Sequence, residues 1–147
     1  MELSAAGLAL IKLFEGFRST VYLDAHGFPT IGYGHKLLAG ESFPDGVTEA
    51  QATTLLEGDV GDAEQAVSRL VHVTLSQGQF DALVDFCFNL GQGRLAESTL
   101  LADLNEGQYD AAGQQILLWD HVGAQVNAGL KARRQAEFQL WNQETTA

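Results

Sequence analysis

The chain has 147 residues, with 8 Lys and Arg against 19 Asp and Glu and a formal net charge of −11. That length suits one globular domain, and a hydrophobic content of 46% with only two prolines excludes a disordered chain. The acidic balance argues against nucleic acid and anionic membranes as partners, and the single cysteine, Cys87, excludes an internal disulfide and a cysteine zinc site.

The amino-terminal segment lacks the pattern of a membrane span or a secretory signal. Its longest apolar run, residues 5–11, is far shorter than the roughly 20 residues that cross a bilayer. Glu2 precedes this run, where a signal peptide carries positive charge. We therefore expect synthesis in the cytoplasm, no insertion into a membrane, and a monomer.

The first elements in chain order are a helix and a hairpin. Apolar residues at helical spacing predict a helix that begins after Ser4, a suitable N-cap, and ends at Glu15 before Gly16. From residue 17 to residue 35, β-forming residues alternate on either side of a turn at residues 25–29. This alternation predicts an antiparallel hairpin.

Helices are predicted for most of the remaining chain. A capping box at residues 48–51 opens a helical stripe to about residue 71, which Gly58 and Gly61 would weaken. A second box at residues 76–79 opens the clearest apolar stripe, predicted to be the central core helix and closed by Gly91. Three more helices are predicted at residues 98–106, 110–119 and 130–142. The pattern predicts an α+β fold, mostly helical, with one small hairpin.

One set of polar residues could carry chemistry. Glu15 stands at a helix end, Asp24 follows after eight intervening residues, and Thr30 follows after five more. Glycoside hydrolysis needs a carboxylic acid that protonates the leaving oxygen and a second group that orients water or attacks the sugar. On spacing alone, each residue also has an ordinary interpretation: a solvated glutamate, a turn aspartate and a strand threonine.

The surrounding sequence resembles the phage-type lysozymes, the endolysin muramidases of tailed phages and prophages. The resemblance is carried by residues 14–18 (FEGFR), 22–24 (YLD) and 29–35 (PTIGYGH), in which the family's Glu, Asp and Thr spacing is met without a gap. Further blocks follow in order as far as Gly129-Leu130, Arg133-Arg134 and Glu137. The resemblance covers about residues 8–140.

The resemblance implies the roles of the three residues. Glu15 would be the general acid, and Asp24 and Thr30 would position a water for attack with inversion. Such a pair of carboxyl groups would lie roughly 6.5–9.5 Å apart, and Asp24 would instead be a nucleophile if the pair were closer. A lytic transglycosylase and an inactive glycan-binding relative are the alternatives.

The implied fold is lysozyme-like, a single catalytic domain in which two lobes form a cleft. The hairpin lobe would comprise residues 16–58 and the connecting helix residues 59–71. The larger helical lobe would comprise residues 72–147 and the amino-terminal helix. The implied substrate is bacterial peptidoglycan, cut between N-acetylmuramic acid and N-acetylglucosamine at the cell wall or in the periplasm. Neither a metal nor an organic cofactor is implied, and release to lyse the host would depend on a holin.

Further candidate residues surround this expected site. Phe88 and Asn89, with the basic cluster of Lys131, Arg133 and Arg134, are candidate substrate-binding residues. Phe88 also fits a core stripe, and the basic cluster also fits a solvated helix face or pairing with Glu15 or Asp24. His35 and Asp59 are expected to form a structural ion pair near the site. The few cations of this acidic chain predict a locally basic patch near the cleft.

Overall fold

The computed structural model describes residues 1–143, which form an α+β fold dominated by helices. The helices are α1 (Ala5–Glu15), α2 (Glu49–Leu70), α3 (Gln77–Leu90), α4 (Gln92–Ala96), α5 (Thr99–Asn105), α6 (Tyr109–Ile116) and α7 (Ala128–Trp141). The strands are β1 (Arg18–Leu23), β2 (Pro29–Gly32), β3 (His35–Lys36), β4 (His121–Val122) and β5 (Gln125–Val126). The predicted class is confirmed.

The chain divides into two compact units. One comprises residues 11–62, and the other comprises residues 1–10 and, within the described part of the chain, residues 63–143. We call them the hairpin unit and the helical unit. The boundaries between them fall within α1 and α2.

The hairpin unit is built around an antiparallel sheet in the order β1-β2-β3. Thr30 lies opposite Tyr22 on one side and opposite Lys36 on the other, while Ile31 lies opposite His35. The pairing of β1 with β2 is irregular between Arg18 and Tyr22, as at a β-bulge. The sheet therefore sets polar residues of three strands side by side next to the Asp24 turn.

The helical unit has α3 at its centre. All side chains from Phe80 to Cys87 are buried, and α3 packs against α4 and α7. Ser76 opens α3 with the predicted capping box, because its hydroxyl accepts from the Gln79 N–H and the Gln79 side chain accepts from the Ser76 N–H. Phe86 and Trp119 pack edge to face, with ring centroids 5.5 Å apart.

The structure differs from the sequence prediction in the helices α2, α4 and α6, in the strand β3 and in the hairpin β4–β5. Helix α2 is continuous. Gly58 and Gly61 face open space, so their only cost is the lower helix propensity of glycine. Helix α6 ends at Ile116 rather than residue 119, because the next three N–H groups bond three residues back in a tightened turn. The short helix α4, the third strand β3 and the hairpin β4–β5 were not predicted. Within residues 1–143, no helix is long and apolar enough to cross a membrane.

Candidate active site

Glu15 is the last residue of α1, and its side chain is half-buried. Gly16 ends the helix in the left-handed region, with φ of 72° and its N–H bonded to the Lys12 carbonyl at 2.9 Å. The carboxyl group lies against Gly34, between β2 and β3: a Cβ at that position would stand 2.8 Å from Glu15 Oε2. Gly34 also has a positive φ, of 74°. Both its backbone conformation and its close approach to Glu15 therefore favour glycine at this position.

Asp24 begins the turn between β1 and β2, and its two carboxylate oxygens have different surroundings. Oδ1 accepts from the His26 N–H at 2.8 Å and from the Phe28 N–H at 2.9 Å. Oδ2 lies 3.9 Å from Lys36 Nζ. The Phe28 N–H is the largest cause that lowers the pKa of Asp24 below its ordinary value, and the His26 N–H and the Lys36 charge add to it. Asp24 is therefore an ionised acceptor at neutral pH.

Thr30 is buried in the middle strand, with 2% of its surface exposed. Its hydroxyl donates to the Phe28 carbonyl at 2.8 Å. Because that bond uses the only proton of the hydroxyl, the remaining hydrogen-bonding capacity of Oγ1 is as an acceptor. His26 and Phe28 of the turn therefore determine which oxygens of Asp24 and Thr30 remain available as hydrogen-bond acceptors.

Tyr22 links Glu15 and Asp24 electrostatically. Burial raises the pKa of the Tyr22 phenol, and the negative charges of Glu15 and Asp24 raise it further, while Arg18 lowers it. The Arg18 guanidinium lies 4.7 Å from the Tyr22 ring centroid. Both carboxylates thus lie within electrostatic range of one phenol.

His35 pairs with Asp59, as the sequence analysis expected, and has a second carboxylate partner. Nδ1 lies 2.8 Å from Asp59 Oδ2, and Nε2 lies 2.9 Å from Glu41 Oε1. Burial lowers the pKa of His35, but the hydrogen bonds and charges of Glu41 and Asp59 outweigh it, so the net direction is upward. Burial also raises the pKa of Asp59, whereas the Leu38 N–H and His35 lower that of Glu41. The cluster therefore favours a charged imidazole.

Two of the predicted substrate-binding residues, Arg133 and Arg134, lie in a buried ionic cluster of the helical unit, and the half-buried Asn89 accepts a hydrogen bond from it. Arg133 donates to Asp85 through Nε and Nη2, the shortest bond being 2.7 Å. Arg134 donates to Asn89 at 2.8 Å and to Glu137 at 2.9 Å. Lys131 is exposed on α7, and Phe88 is half-buried against the hydrophobic core.

Burial dominates the titration of this cluster. It raises the pKa of Glu137 well above the usual range, and a hydrogen bond and charge repulsion from Asp85 act in the same direction. Burial likewise lowers the pKa of Arg134. We name the set of Asp85, Arg133, Arg134 and Glu137 the buried cluster.

Sequence reasoning missed four residues that shape the hairpin site: Tyr22, Gly34, Lys36 and Glu41. The signal for Tyr22 was present, because residues two apart on a strand share a face, and Tyr22 precedes Asp24 by two. The position of Lys36 beside Thr30 follows only when the register of β2 with β3 is known, and Glu41 reaches His35 from the loop after β3.

The comparisons with known proteins all point to one family. The family model described as phage lysozyme matches residues 12–137. The endolysin of Salmonella phage P22 is 39% identical over 137 residues, which span 91% of this chain and 94% of that protein. The endolysin of Bacillus phage B103 is 40% identical over 144 residues, but the chain spans only 54% of its length. The muramidase domain of SpmX from Asticaccaulis excentricus superimposes with a TM-score of 0.88 at 38% identity, covering 97% of this chain and 99% of that one.

The α+β architecture is thus the lysozyme-like fold that the sequence predicted. The match to the family model covers most of the chain, and relatives above 30% identity extend over nearly all of it. The chain belongs to the phage lysozyme family.

Proposed function

We propose that the protein is an endolysin that hydrolyses bacterial peptidoglycan at the β-1,4 bond between N-acetylmuramic acid and N-acetylglucosamine. Its relatives carry the names endolysin and muramidase, which supports this substrate class. The observation that carries the mechanism is that Asp24 and Thr30 each keep one unfilled acceptor role beside the same turn. We assign Glu15, Asp24 and Thr30 as the catalytic residues.

Glu15 acts as the general acid in this mechanism. Its carboxyl group is fixed at a helix end against the Gly34 backbone, so it offers a proton from a defined position. Protonation of the glycosidic oxygen lets the bond to the muramic acid C1 break as positive charge develops on the sugar ring. Tyr22 lies within electrostatic range of both Glu15 and Asp24.

Asp24 and Thr30 orient the attacking water. The Oδ1 atom of Asp24 is committed to two backbone N–H groups, which leaves Oδ2 to accept one hydrogen of the water. Thr30 donates to the Phe28 carbonyl and accepts the other hydrogen through Oγ1. With both hydrogens held, a lone pair of the water oxygen points at C1, and Asp24 takes the proton as the new bond forms.

This arrangement requires inversion at C1, since water attacks the face opposite the leaving group without a covalent intermediate. The first product should therefore be the α-anomer, as seen by proton NMR before mutarotation. Accumulation of the β-anomer at early times would instead assign Asp24 as a nucleophile.

Contacts with the rest of the glycan involve Phe88, Asn89 and the basic cluster. Lys131 is exposed, so its ammonium is the group of that cluster best placed to bind the peptide-stem carboxylates of the substrate. Arg133, Arg134 and Asn89 hold α7, which carries Lys131, against α3 through their hydrogen bonds. We further propose that the protein acts as a monomer, is made in the host cytoplasm, and reaches the wall through a holin.

The assignment of Glu15 is tested by Glu15→Gln, which keeps the size of the side chain and removes the acid. We expect lysis of permeabilised cells to fall by about 10²–10⁴-fold, with thermal unfolding close to wild type. Glu57→Gln removes an exposed carboxylate of the same unit and serves as the matched control. Near-wild-type lysis by Glu15→Gln would reject the mechanism.

A further inference from the structure

The position of Lys36 gives it access to the two residues that hold the water. Lys36 lies opposite Thr30 in the pairing of β2 with β3. Its ammonium is 3.9 Å from Asp24 Oδ2, the oxygen that the turn leaves unfilled. One cation therefore stands beside both residues on the side where the water is proposed to bind.

Phe28 holds the ammonium in this position. Lys36 Nζ lies 5.0 Å from the centroid of the Phe28 ring, within the range of a cation–π contact. The side chain of Lys36 is 61% exposed, so without such a contact its four-carbon stem would sample many rotamers. The ring and the carboxylate together restrict it to the Asp24 side of the strand.

We propose that Lys36 is a positioning residue for hydrolysis, whose ammonium stands beside Asp24 Oδ2 and keeps this carboxylate charged as the pH falls. The inference rests on the proposed function, because it assumes that Asp24 orients the water. Lys36 itself does not touch the sugar carbon or donate the proton. It acts through Asp24, so its effect on the rate of hydrolysis is expected on the acidic side of the pH–activity profile.

The other charged or titratable groups near Asp24 are in place whether or not Lys36 is present. They are His26 in the turn and Tyr22 on β1, with Arg18 and Glu15 within electrostatic range of Tyr22. The N–H groups of Phe28 and His26 also remain bonded to Oδ1 when Lys36 is replaced. Loss of the ammonium therefore leaves Asp24 in its turn and raises its pKa, since one stabilising charge is gone.

The test compares Lys36→Met with Lys36→Arg across pH 3.5–8, with kcat/KM measured on purified peptidoglycan. Dividing the kcat/KM of each variant by that of wild type at the same pH cancels the effect of substrate titration. For Lys36→Met we expect the acidic limb to move up by about 0.2–0.7 pH unit, the size expected for an exposed pair, with a plateau near wild type. Lys36→Arg should restore the wild-type limb, and 0.5 M salt should reduce the shift.

Two further variants separate this role from a general effect of charge. Arg94→Met removes an exposed cation of the helical unit and should leave the limb unmoved. Phe28→Leu keeps Lys36 but removes the ring under it, and should give a shift smaller than that of Lys36→Met.

An unshifted limb in Lys36→Met, or a loss of the same factor at every pH, would overturn the inference. Neither result would contradict the proposed function, which is tested separately by the activities of Glu15→Gln and Asp24→Asn.

Discussion

The site of the hairpin unit and the buried cluster of the helical unit hold their carboxylates in opposite ways. In the hairpin unit, the side chains of Asp24, Glu41 and Asp59 retain 19%, 27% and 30% exposure. In the helical unit, Asp85 and Glu137 are completely buried beside two arginines. The same chemical group therefore meets water beside the Asp24 turn and His35, and only protein in the buried cluster.

This difference separates function from structure. A buried carboxylate loses its hydration and must be matched by internal partners, so it is committed to the fold. An exposed carboxylate that is held by backbone N–H groups keeps its position and can still accept a new partner. Asp24 is of this second kind, because the turn binds one oxygen and leaves the other accessible.

Asp24→Asn should break function with little effect on stability. The amide oxygen of asparagine can still accept from the His26 and Phe28 N–H groups, so the turn is kept while the charge and the basic oxygen are lost. We expect peptidoglycan hydrolysis to fall by about 10²-fold or more, with a melting temperature close to wild type. A variant that unfolds, or one that hydrolyses normally, would contradict the comparison.

Asp85→Ala should do the reverse. It removes the bidentate partner of Arg133 and leaves a guanidinium buried without its carboxylate. Breaking a buried pair in this way costs about 3–5 kcal/mol, which urea unfolding would measure. Asp103→Ala, a partly exposed aspartate of the same unit, is the control, and an equal small loss in both variants would show that burial is not decisive.

Gly34→Ala tests the contact between the β2–β3 turn and Glu15. A methyl group there would stand 2.8 Å from Oε2, and the positive φ adds backbone strain of about 1 kcal/mol. The control is Gly123→Ala, where φ is also positive, at 61°, and a Cβ would meet nothing. Both variants should lose similar stability, but only Gly34→Ala should lose hydrolysis by more than about tenfold.

His35→Asn should have the smallest effect, and a pH-dependent one. The pKa of His35 is raised in the folded protein, so its stabilisation is full below its ordinary pKa and is lost as the pH rises through the folded value. Asp59, whose pKa is also raised, changes stability in the same direction, whereas Glu41 acts only at acidic pH. The stability difference between wild type and His35→Asn should therefore be larger at pH 5.5 than at pH 8.5, and a constant difference would reject the ion cluster.

The sequence predicted what depends on local spacing. The end of α1 at Glu15, the hairpin, and the capping boxes at Thr48 and Ser76 are short-range patterns, and each is present. The three candidate catalytic residues were proposed because they lie within one short segment that resembles the family's motif. Patterns of this length can be read from the chain alone.

Features that depend on strand register or burial were not predictable. The approach of Lys36 to Asp24 requires the third strand, which has only two residues and gives no alternation signal. The α6 boundary was misplaced because apolar residues continue past Ile116, although the backbone there tightens into turns. Arg133 and Arg134 look alike in sequence as members of a basic cluster, and only the packing of α3 against α7 shows that both are buried.

The most direct test of the account is the mass of the muropeptides released in water enriched in oxygen-18. Hydrolysis with a water held by Asp24 and Thr30 predicts one labelled oxygen at the muramic acid reducing end. An unlabelled product that is lighter by one water, with an anhydro ring, would contradict the mechanism and identify a lytic transglycosylase.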